Sequence, residues 1–205
     1  MTEFIIDPSR STERYRGSFL SVETVTYQGL DGQTYRRDVV HHPGAVVVVP
    51  LVAESNSILL IEQYRVATNL EMLELPAGKR DVEGEDPTDC AIRELEEELG
   101  LRATSMVHLL SFFNTPGFCD ELTHLYLARG LSAGNWNPQG AEETAARRRS
   151  VGLVELERLI ASGRIIDGKT IIGLYAVRSY LDDLAVPEPY LDEFNIEEFA
   201  PVVIG

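Results

Sequence analysis

The sequence predicts an α/β fold in which a mixed β-sheet lies between helices, with a small β unit before it. The run AVVVVPLVA at 45–53 is rich in β-branched apolar residues and is typical of a buried strand. The segment 87–99 carries apolar residues at helical spacing between Asp86 and Gly100, which are typical helix-start and helix-stop residues. Strands that alternate with helices favour layers of helix, sheet and helix.

Residues 1–42 are predicted to form the small β unit. The segments SFLSVETVTYQ and QTYRRDVVHH are rich in β-forming residues, and Gly29–Gly32 between them is turn-like. An isolated hairpin is marginally stable in water, so this unit is expected to pack on the main domain or on a partner chain.

The main domain is predicted over 43–185, followed by an acidic, proline-containing tail at 186–205 that packs on the surface or exchanges with a partner. Long loops are expected at 114–121 and 130–146, and loops of that length are often functional. The predicted strands are 45–53, 58–64, 72–75, 107–113, 122–127 and 148–154, and the predicted helices are 87–99, 155–162 and 170–184.

Composition excludes several classes of protein. The net charge of −15 argues against nonspecific nucleic-acid binding, which requires lysine and arginine to displace counterions. No apolar stretch predicts a membrane span, and the first residues do not resemble a secretory signal. Two cysteines form no disulfide framework, which favours a cytoplasmic protein. The histidines lack zinc-site spacing with cysteines and are interpreted as structural: His41, His42, His108 and His124.

Three glutamates define the most informative helix. Glu94, Glu97 and Glu98 share one face at i, i+3 and i+4, where their charges repel. A divalent cation would reverse that repulsion, and oxygen ligands suit Mg²⁺, with Mn²⁺ as a possible substitute. The alternative is a solvated acidic face, with pairs from Arg93 to Glu97 and from Glu98 to Arg102. Ile92, Leu95 and Leu99 are expected to anchor the opposite face.

The segment GKRDVEGEDPTDCAIRELEEELGL, from Gly78 to Leu101, resembles the signature of the Nudix hydrolases. The match is complete from Glu85 onward and includes Gly100. Six residues rather than five separate Gly78 from Glu85, and Gly84 is expected to absorb the extra residue. The resemblance implies a Nudix-like α/β/α sandwich and a metal-dependent hydrolase.

Other segments are similar to the ADP-ribose pyrophosphatase subfamily. They are IEQYR at 61–65, ELPAG at 74–78, TPGFCDE at 115–121 and IIDGKTIIGLYA at 165–176, and Pro116 lies fifteen residues past Leu101. The resemblance implies hydrolysis of ADP-ribose to AMP and ribose 5-phosphate. It also implies a homodimer in which the N-terminal strands help to form the neighbouring subunit's adenosine pocket.

Residue roles follow from the resemblance. Glu94 and Glu98 are the expected main metal ligands, Glu97 is shared or supporting, and the Ala77 carbonyl is a further candidate. Arg93 is expected to orient an acid, with a surface salt bridge as the alternative. The remaining expectations are Gly78, Glu85 and Gly100 for the structure of the motif, and Pro116, Gly117 and Glu74 for substrate binding.

A base for the attacking water is expected on the late loop, where Glu142 and Glu143 stand. The sequence does not choose between them, and two solvated acids are the alternative. Arg65 is the candidate contact to phosphate or terminal ribose, with an ion pair to Glu62 or Glu74 as the alternative. Arg37 is a weaker candidate for adenine or phosphate.

Three rival functions remain open from the sequence. Another nucleoside diphosphate derivative, such as a sugar nucleotide, could be the substrate. A sensor could bind ADP-ribose without cutting it, although all the metal-site glutamates are present. A broad phosphohydrolase for damaged nucleotides would show comparable rates on nucleoside triphosphates.

Overall fold

A computed structural model describes residues 4–181 and contains two sheets. The N-terminal sheet is built around its longest pair of strands, β3 (Ser21–Gln28) and β4 (Thr34–His41), which form the predicted hairpin. Two further strands, β1 (Ile5–Ile6) and β2 (Thr12–Arg16), pair antiparallel with β3. Both are exposed along their whole length, so no buried face marks them in the sequence.

The second sheet is mixed, which confirms the predicted fold class. Its strand order is β11-β6-β5-β10-β9, with β7 paired to β6 and β8 paired to β5. The central pair β5 and β10 is parallel, and the other pairs are antiparallel. The strands are β5 (Ala45–Val52), β6 (Ser57–Arg65), β7 (Leu70–Glu74), β8 (Ala77–Lys79), β9 (Leu101–Phe113), β10 (Leu122–Ala133) and β11 (Arg147–Gly152).

Two apolar cores lie on the two faces of this sheet, because successive residues of a strand point to opposite sides. Val46 and Val48 of β5 pack in the core with helix α1 (Pro87–Leu99). Val47 and Val49 pack in the other core with helix α4 (Gly168–Leu181). The run of valines is therefore the centre of a helix–sheet–helix sandwich. Two shorter helices complete the fold, α2 (Ala141–Ala145) and α3 (Leu156–Ala161).

Helix α1 begins and ends as its sequence predicts. The Asp86 side chain accepts a 2.7 Å hydrogen bond from the Thr88 amide, and Pro87 takes the first helical position. Gly100 ends the helix in the left-handed conformation, with a φ of 58°. A side chain there would also be crowded, because its Cβ would lie 2.9 Å from the Trp136 Cβ.

The predicted apolar face of α1 is partly wrong. Leu95 and Leu99 are buried, but Ile92 is 43% exposed, while Glu94 and Glu98 are each only 8% exposed. The acids thus lie between helix and sheet rather than on a solvated face. The Glu98–Arg102 pair is also absent, because Arg102 instead bonds Glu96 at 2.9 Å.

Several element boundaries differ from prediction. Strands β9 and β10 form a long antiparallel ribbon that begins at Leu101 and ends at Ala133, which shortens the predicted loop at 130–146. That loop also contains the short helix α2. The tail at 186–205 and the last residues of the predicted domain lie outside the described residues. Within 4–181, no helix is both long and apolar enough to span a membrane.

Candidate active site

A cavity of about 700 Å³ opens beside α1, the β8 turn and the loop that carries α2. It brings together most of the predicted site residues, namely Arg65, Ala77, Gly78, Arg93, Glu94, Glu97, Glu98, Glu142 and Glu143. It also has lining residues that the sequence interpretation missed, among them Phe19, His42, Gln63, Lys79, Glu121, Gln139 and Lys169.

Arg93 ties three acids together. Its Nε and Nη2 donate to the two carboxylate oxygens of Glu85 at 2.9 and 3.0 Å. Its Nη1 donates to Glu94 at 2.7 Å and to Glu97 at 3.0 Å. The forked contact with Glu85 forms despite the extra loop residue, and Gly84 has a positive φ of 77°. The planar guanidinium therefore fixes the loop and two motif glutamates at once.

Glu98 lies deepest among the motif acids. Its Oε2 accepts a 2.9 Å hydrogen bond from the Ala77 amide, which joins α1 to the β8 turn. Burial, followed by the charge of Glu94, raises the pKa of Glu98 well above its ordinary value. Burial raises the pKa of Glu94 to about 7, although Arg93 opposes the shift. Both carboxylates are thus costly to keep charged, and the nearby arginines offset the cost of burial only in part.

Gly78 allows this packing. A Cβ built on Gly78 would lie 1.9 Å from the Glu94 carboxyl carbon and within 2.3 Å of both of its oxygens. The Glu94 carboxylate therefore lies directly against the backbone of the β8 turn. Any larger residue at position 78 would displace this carboxylate.

The donor set fits a divalent cation. Carboxylate oxygens are the ligands that Mg²⁺ and Mn²⁺ prefer, and a bound cation would stabilise the charged forms of Glu94 and Glu98. Within residues 4–181, no three histidine, cysteine or acidic side chains are already arranged as a metal centre. Arg93 holds one oxygen of Glu94 and one of Glu97, and the second oxygen of Glu97 accepts from the Gln139 side chain at 3.4 Å.

Arg65 and Glu74 form a forked ion pair, with Nε and Nη2 of Arg65 at 2.9 and 2.8 Å from the two carboxylate oxygens. Glu74 is only 1% exposed and lies behind Arg65, which lines the cavity. Glu62, the other possible partner, instead binds Arg149 and Arg164. The pair that the sequence left as an alternative is present, and it holds Arg65 at the wall.

Three predicted substrate residues lie elsewhere. Arg37, Pro116 and Gly117 line a second cavity of about 430 Å³, together with Tyr27 and Phe118. This second cavity lies where the N-terminal sheet meets the loop at 114–121. The structure therefore does not place them among the motif glutamates.

The two candidate bases are both on α2 and both line the main cavity. The Glu143 carboxylate accepts a 2.6 Å hydrogen bond from the Gln139 amide. Burial is the main cause of the raised pKa values of Glu94 and Glu98, and the charge of Glu143 adds to both in the same direction. The Gln139 side chain also reaches Glu97 at 3.4 Å. Glu143 is therefore the α2 acid that is electrostatically connected to the motif glutamates.

Lys169 adds a second cation to the wall that carries Arg65. It lies in the first turn of α4 and bonds Asp167 at 2.7 Å, while Asp167 also accepts from the Thr170 amide and hydroxyl. An isolated lysine in a helix carries no sequence signal for a site. Only the fold brings it to the cavity that the motif glutamates also line.

Replacing Arg93 with lysine should weaken the acid network. Lysine keeps the charge but cannot make the forked contact with Glu85 while also reaching Glu94 and Glu97. We expect a loss of about 2 kcal/mol in unfolding free energy, as measured by urea denaturation. The matched control is Arg102→Lys on the exposed pair with Glu96. Equal stability losses for the two variants would contradict the network.

Comparisons with known proteins agree with this geometry. The NUDIX domain family model matches residues 41–171. The methanol dehydrogenase activator of Bacillus methanolicus is 39% identical over 170 residues, covering 80% of this chain and 88% of that protein. The ADP-ribose pyrophosphatase of Mycobacterium tuberculosis is 32% identical over 189 residues, covering 92% and 91%.

A solved structure shares the fold. The crystal structure of an ADP compounds hydrolase superposes with a TM-score of 0.76 at 21% identity, covering 88% of this chain and 96% of that chain. The family match spans more than half of the chain and includes the whole motif from Gly78 to Leu101. The chain is an enzyme that belongs to the Nudix hydrolase family.

Proposed function

We propose that the protein hydrolyses the pyrophosphate bond of ADP-ribose, with Mg²⁺, to give AMP and ribose 5-phosphate. The observation that carries the proposal is the lining of the main cavity. This space is lined both by the acids Glu94, Glu97, Glu98 and Glu143 and by the cations Arg65 and Lys169. The likeness to the mycobacterial ADP-ribose pyrophosphatase over nine-tenths of the chain supports this substrate.

The acids meet the first requirement of the reaction, which is to hold Mg²⁺ beside a doubly charged pyrophosphate. Glu94 and Glu98 would be the main ligands, with Glu97 and the Ala77 carbonyl as supporting ones. When bound, the ion neutralises phosphate charge and lowers the pKa of water. Arg93 keeps the carboxylates of Glu94 and Glu97 in place throughout.

Arg65 and Lys169 meet the second requirement, which is to orient the substrate. Arg65 is held rigidly by Glu74, so it loses little freedom when it binds a phosphate or ribose oxygen. Lys169 is held by Asp167 in the same way. Positioning by such fixed cations lowers the entropic cost of reaching the attack geometry.

Glu143 is proposed as the base that accepts the proton of the attacking water. We expect Glu143→Gln to lower kcat about 100-fold, because a positioned base contributes roughly 100- to 10,000-fold. Glu142→Gln, the matched control on the same short helix, should keep most of the activity. The comparison is made by steady-state release of AMP. The reverse order of the two variants would assign the base to Glu142.

The biological unit is proposed to be a homodimer formed through the N-terminal sheet. That sheet exposes large apolar side chains, including Phe4, Ile5, Ile6 and Tyr15, each more than half exposed. Exposed apolar side chains of this size on an N-terminal sheet favour cover by a second chain. Sedimentation at several protein concentrations tests the dimer.

The proposed compartment is the cytoplasm, since both cysteines are free thiols.

The substrate is tested by comparing kcat/KM for ADP-ribose, an ADP-sugar, GDP-mannose and a nucleoside triphosphate with Mg²⁺. The proposal requires ADP-ribose to rank first. If a sugar nucleotide has the highest kcat/KM, the proposed site stands and the proposed substrate is wrong. Comparable rates on nucleoside triphosphates would favour a broad phosphohydrolase. Binding of ADP-ribose without any turnover would favour a sensor.

A further inference from the structure

The loop at 114–121 separates the two cavities and is held by the N-terminal sheet. Pro116 to Asp120 line the smaller cavity, and Glu121 lines the larger one. A single parallel bridge joins Val40 of β4 to Cys119 of the loop. In it, the Val40 amide donates to the Phe118 carbonyl at 2.7 Å, and the Asp120 amide donates to the Val40 carbonyl at 3.2 Å.

One side chain adds to this short bridge. The His41 ring contacts Asp120 of the loop through Nδ1 at 2.6 Å and Glu23 of β3 through Nε2 at 3.1 Å. The second Asp120 oxygen accepts from the His42 amide at 2.8 Å. Asp120 is thus bound by the last residue of β4, His41, and by the residue that follows it, His42, and His41 extends the connection to β3.

Two carboxylates on one imidazole require a proton on each ring nitrogen. A neutral imidazole has a single N–H and can donate to only one of them, whereas the imidazolium donates to both. The contact between sheet and loop is therefore complete only while His41 is charged. The His41 side chain is 33% exposed, so solvent can supply and remove the proton.

We propose that His41, as an imidazolium shared by Glu23 and Asp120, is a positioning residue that fixes the loop at 114–121 and thereby sets the affinity for substrate. Only the predicted change in KM rests on the proposed hydrolysis of ADP-ribose. Whether His41 holds the loop in place can be measured without substrate.

The direction of the pH effect follows from the groups around the ring. Burial lowers the pKa of His41, but the hydrogen bonds to Asp120 and then Glu23 outweigh it, so the net pKa is raised. The next residue, His42, has charged neighbours of its own: its Nδ1 lies 3.9 Å from Glu121 and Lys79 acts on it, while burial lowers the pKa of His42. A raised folded-state pKa makes the contact complete at low pH and lost as pH rises through that pKa.

The first test compares the wild type with His41→Gln by KM and kcat for ADP-ribose between pH 6 and 9. We expect the variant to raise KM roughly tenfold at pH 6, because it loses hydrogen bonds between charged groups, which are stronger than neutral ones. Its kcat should be unchanged, because the motif glutamates are untouched. The ratio of the two KM values should fall towards one at high pH. A ratio that does not vary with pH would overturn the proposal.

Two more variants make the test specific. Glu23→Gln removes one of the two carboxylates that raise the pKa of His41. The pH at which KM changes should therefore move to a lower value, which a purely structural role would not cause. His108→Gln replaces an exposed histidine on β9 and should leave KM at the wild-type value. An unmoved midpoint in Glu23→Gln would contradict a shared imidazolium.

Amide hydrogen exchange separates this inference from the proposed function. The Val40 and Asp120 amides should exchange about tenfold faster in His41→Gln than in the wild type, with no substrate present. If ADP-ribose proves not to be cut, the exchange result still decides whether His41 holds the loop. Unchanged exchange at both amides would overturn the inference even in an active enzyme.

Discussion

Glu98→Gln is expected to reduce Mg²⁺-dependent turnover about 1000-fold, because removing a metal carboxylate withdraws several kcal/mol of charge stabilisation. The same variant should be at least as stable as the wild type without metal. Glutamine keeps the shape and can still accept the Ala77 amide, while it removes a buried charge. Activity is measured as AMP release, and stability is measured as the melting temperature in EDTA.

The pH dependence of that stability has a definite sign. A carboxyl whose pKa is raised in the folded state binds more protons when folded, so its stability contribution is lost as pH rises from the ordinary value through the raised one. Glu98 and Glu94 both have raised pKa values, with that of Glu94 at about 7. The melting temperature of Glu98→Gln in EDTA should therefore exceed that of the wild type by more at pH 8 than at pH 5. A variant that is less stable at pH 8 would contradict the burial argument.

Gly78→Ala is expected to have the second large effect. The new Cβ would overlap the Glu94 carboxyl group, 1.9 Å from its carbon, and the carboxylate would have to move by more than an ångström. Misplacement of that size at a reacting centre costs roughly 100-fold in rate. We expect that loss in kcat, together with weaker Mn²⁺ binding, as followed by the electron paramagnetic resonance signal of free Mn²⁺.

Gly152→Ala is the matched control, because its Cβ would meet neighbours only at 3.7 Å or beyond and its φ of −63° suits alanine. It should keep wild-type kcat. Full activity in Gly78→Ala would show that Glu94 does not need to lie against the β8 turn.

The sequence predicted the parts of the fold whose signals are local. The caps of α1, the valine run of β5 and the turn of the β3–β4 hairpin are each encoded within a few residues. The motif also predicted which acids would meet, because helical spacing fixes their mutual positions. The matching family model confirms the predicted family, and the mixed sheet between helices confirms the predicted fold class.

Other features depend on contacts that local patterns do not record. Glu98 is buried because the β8 turn covers it. The sequence of the helix alone therefore also fits an exposed acidic face. Lys169 reaches the cavity only because α4 packs against β5 and β9. The Leu75 amide, between β7 and β8, donates a long-range hydrogen bond to the Thr170 hydroxyl of α4. His41 finds Asp120 across 79 residues, which explains why it was interpreted as merely structural.

The most direct test of the central claim is the release of AMP and ribose 5-phosphate from ADP-ribose by the wild-type chain, with Mg²⁺ and then with EDTA. The proposed function predicts equal amounts of the two products with Mg²⁺, and loss of both in EDTA with recovery on adding the ion back. Intact ADP-ribose after prolonged incubation with Mg²⁺, or the same rate of cleavage in EDTA, would contradict it.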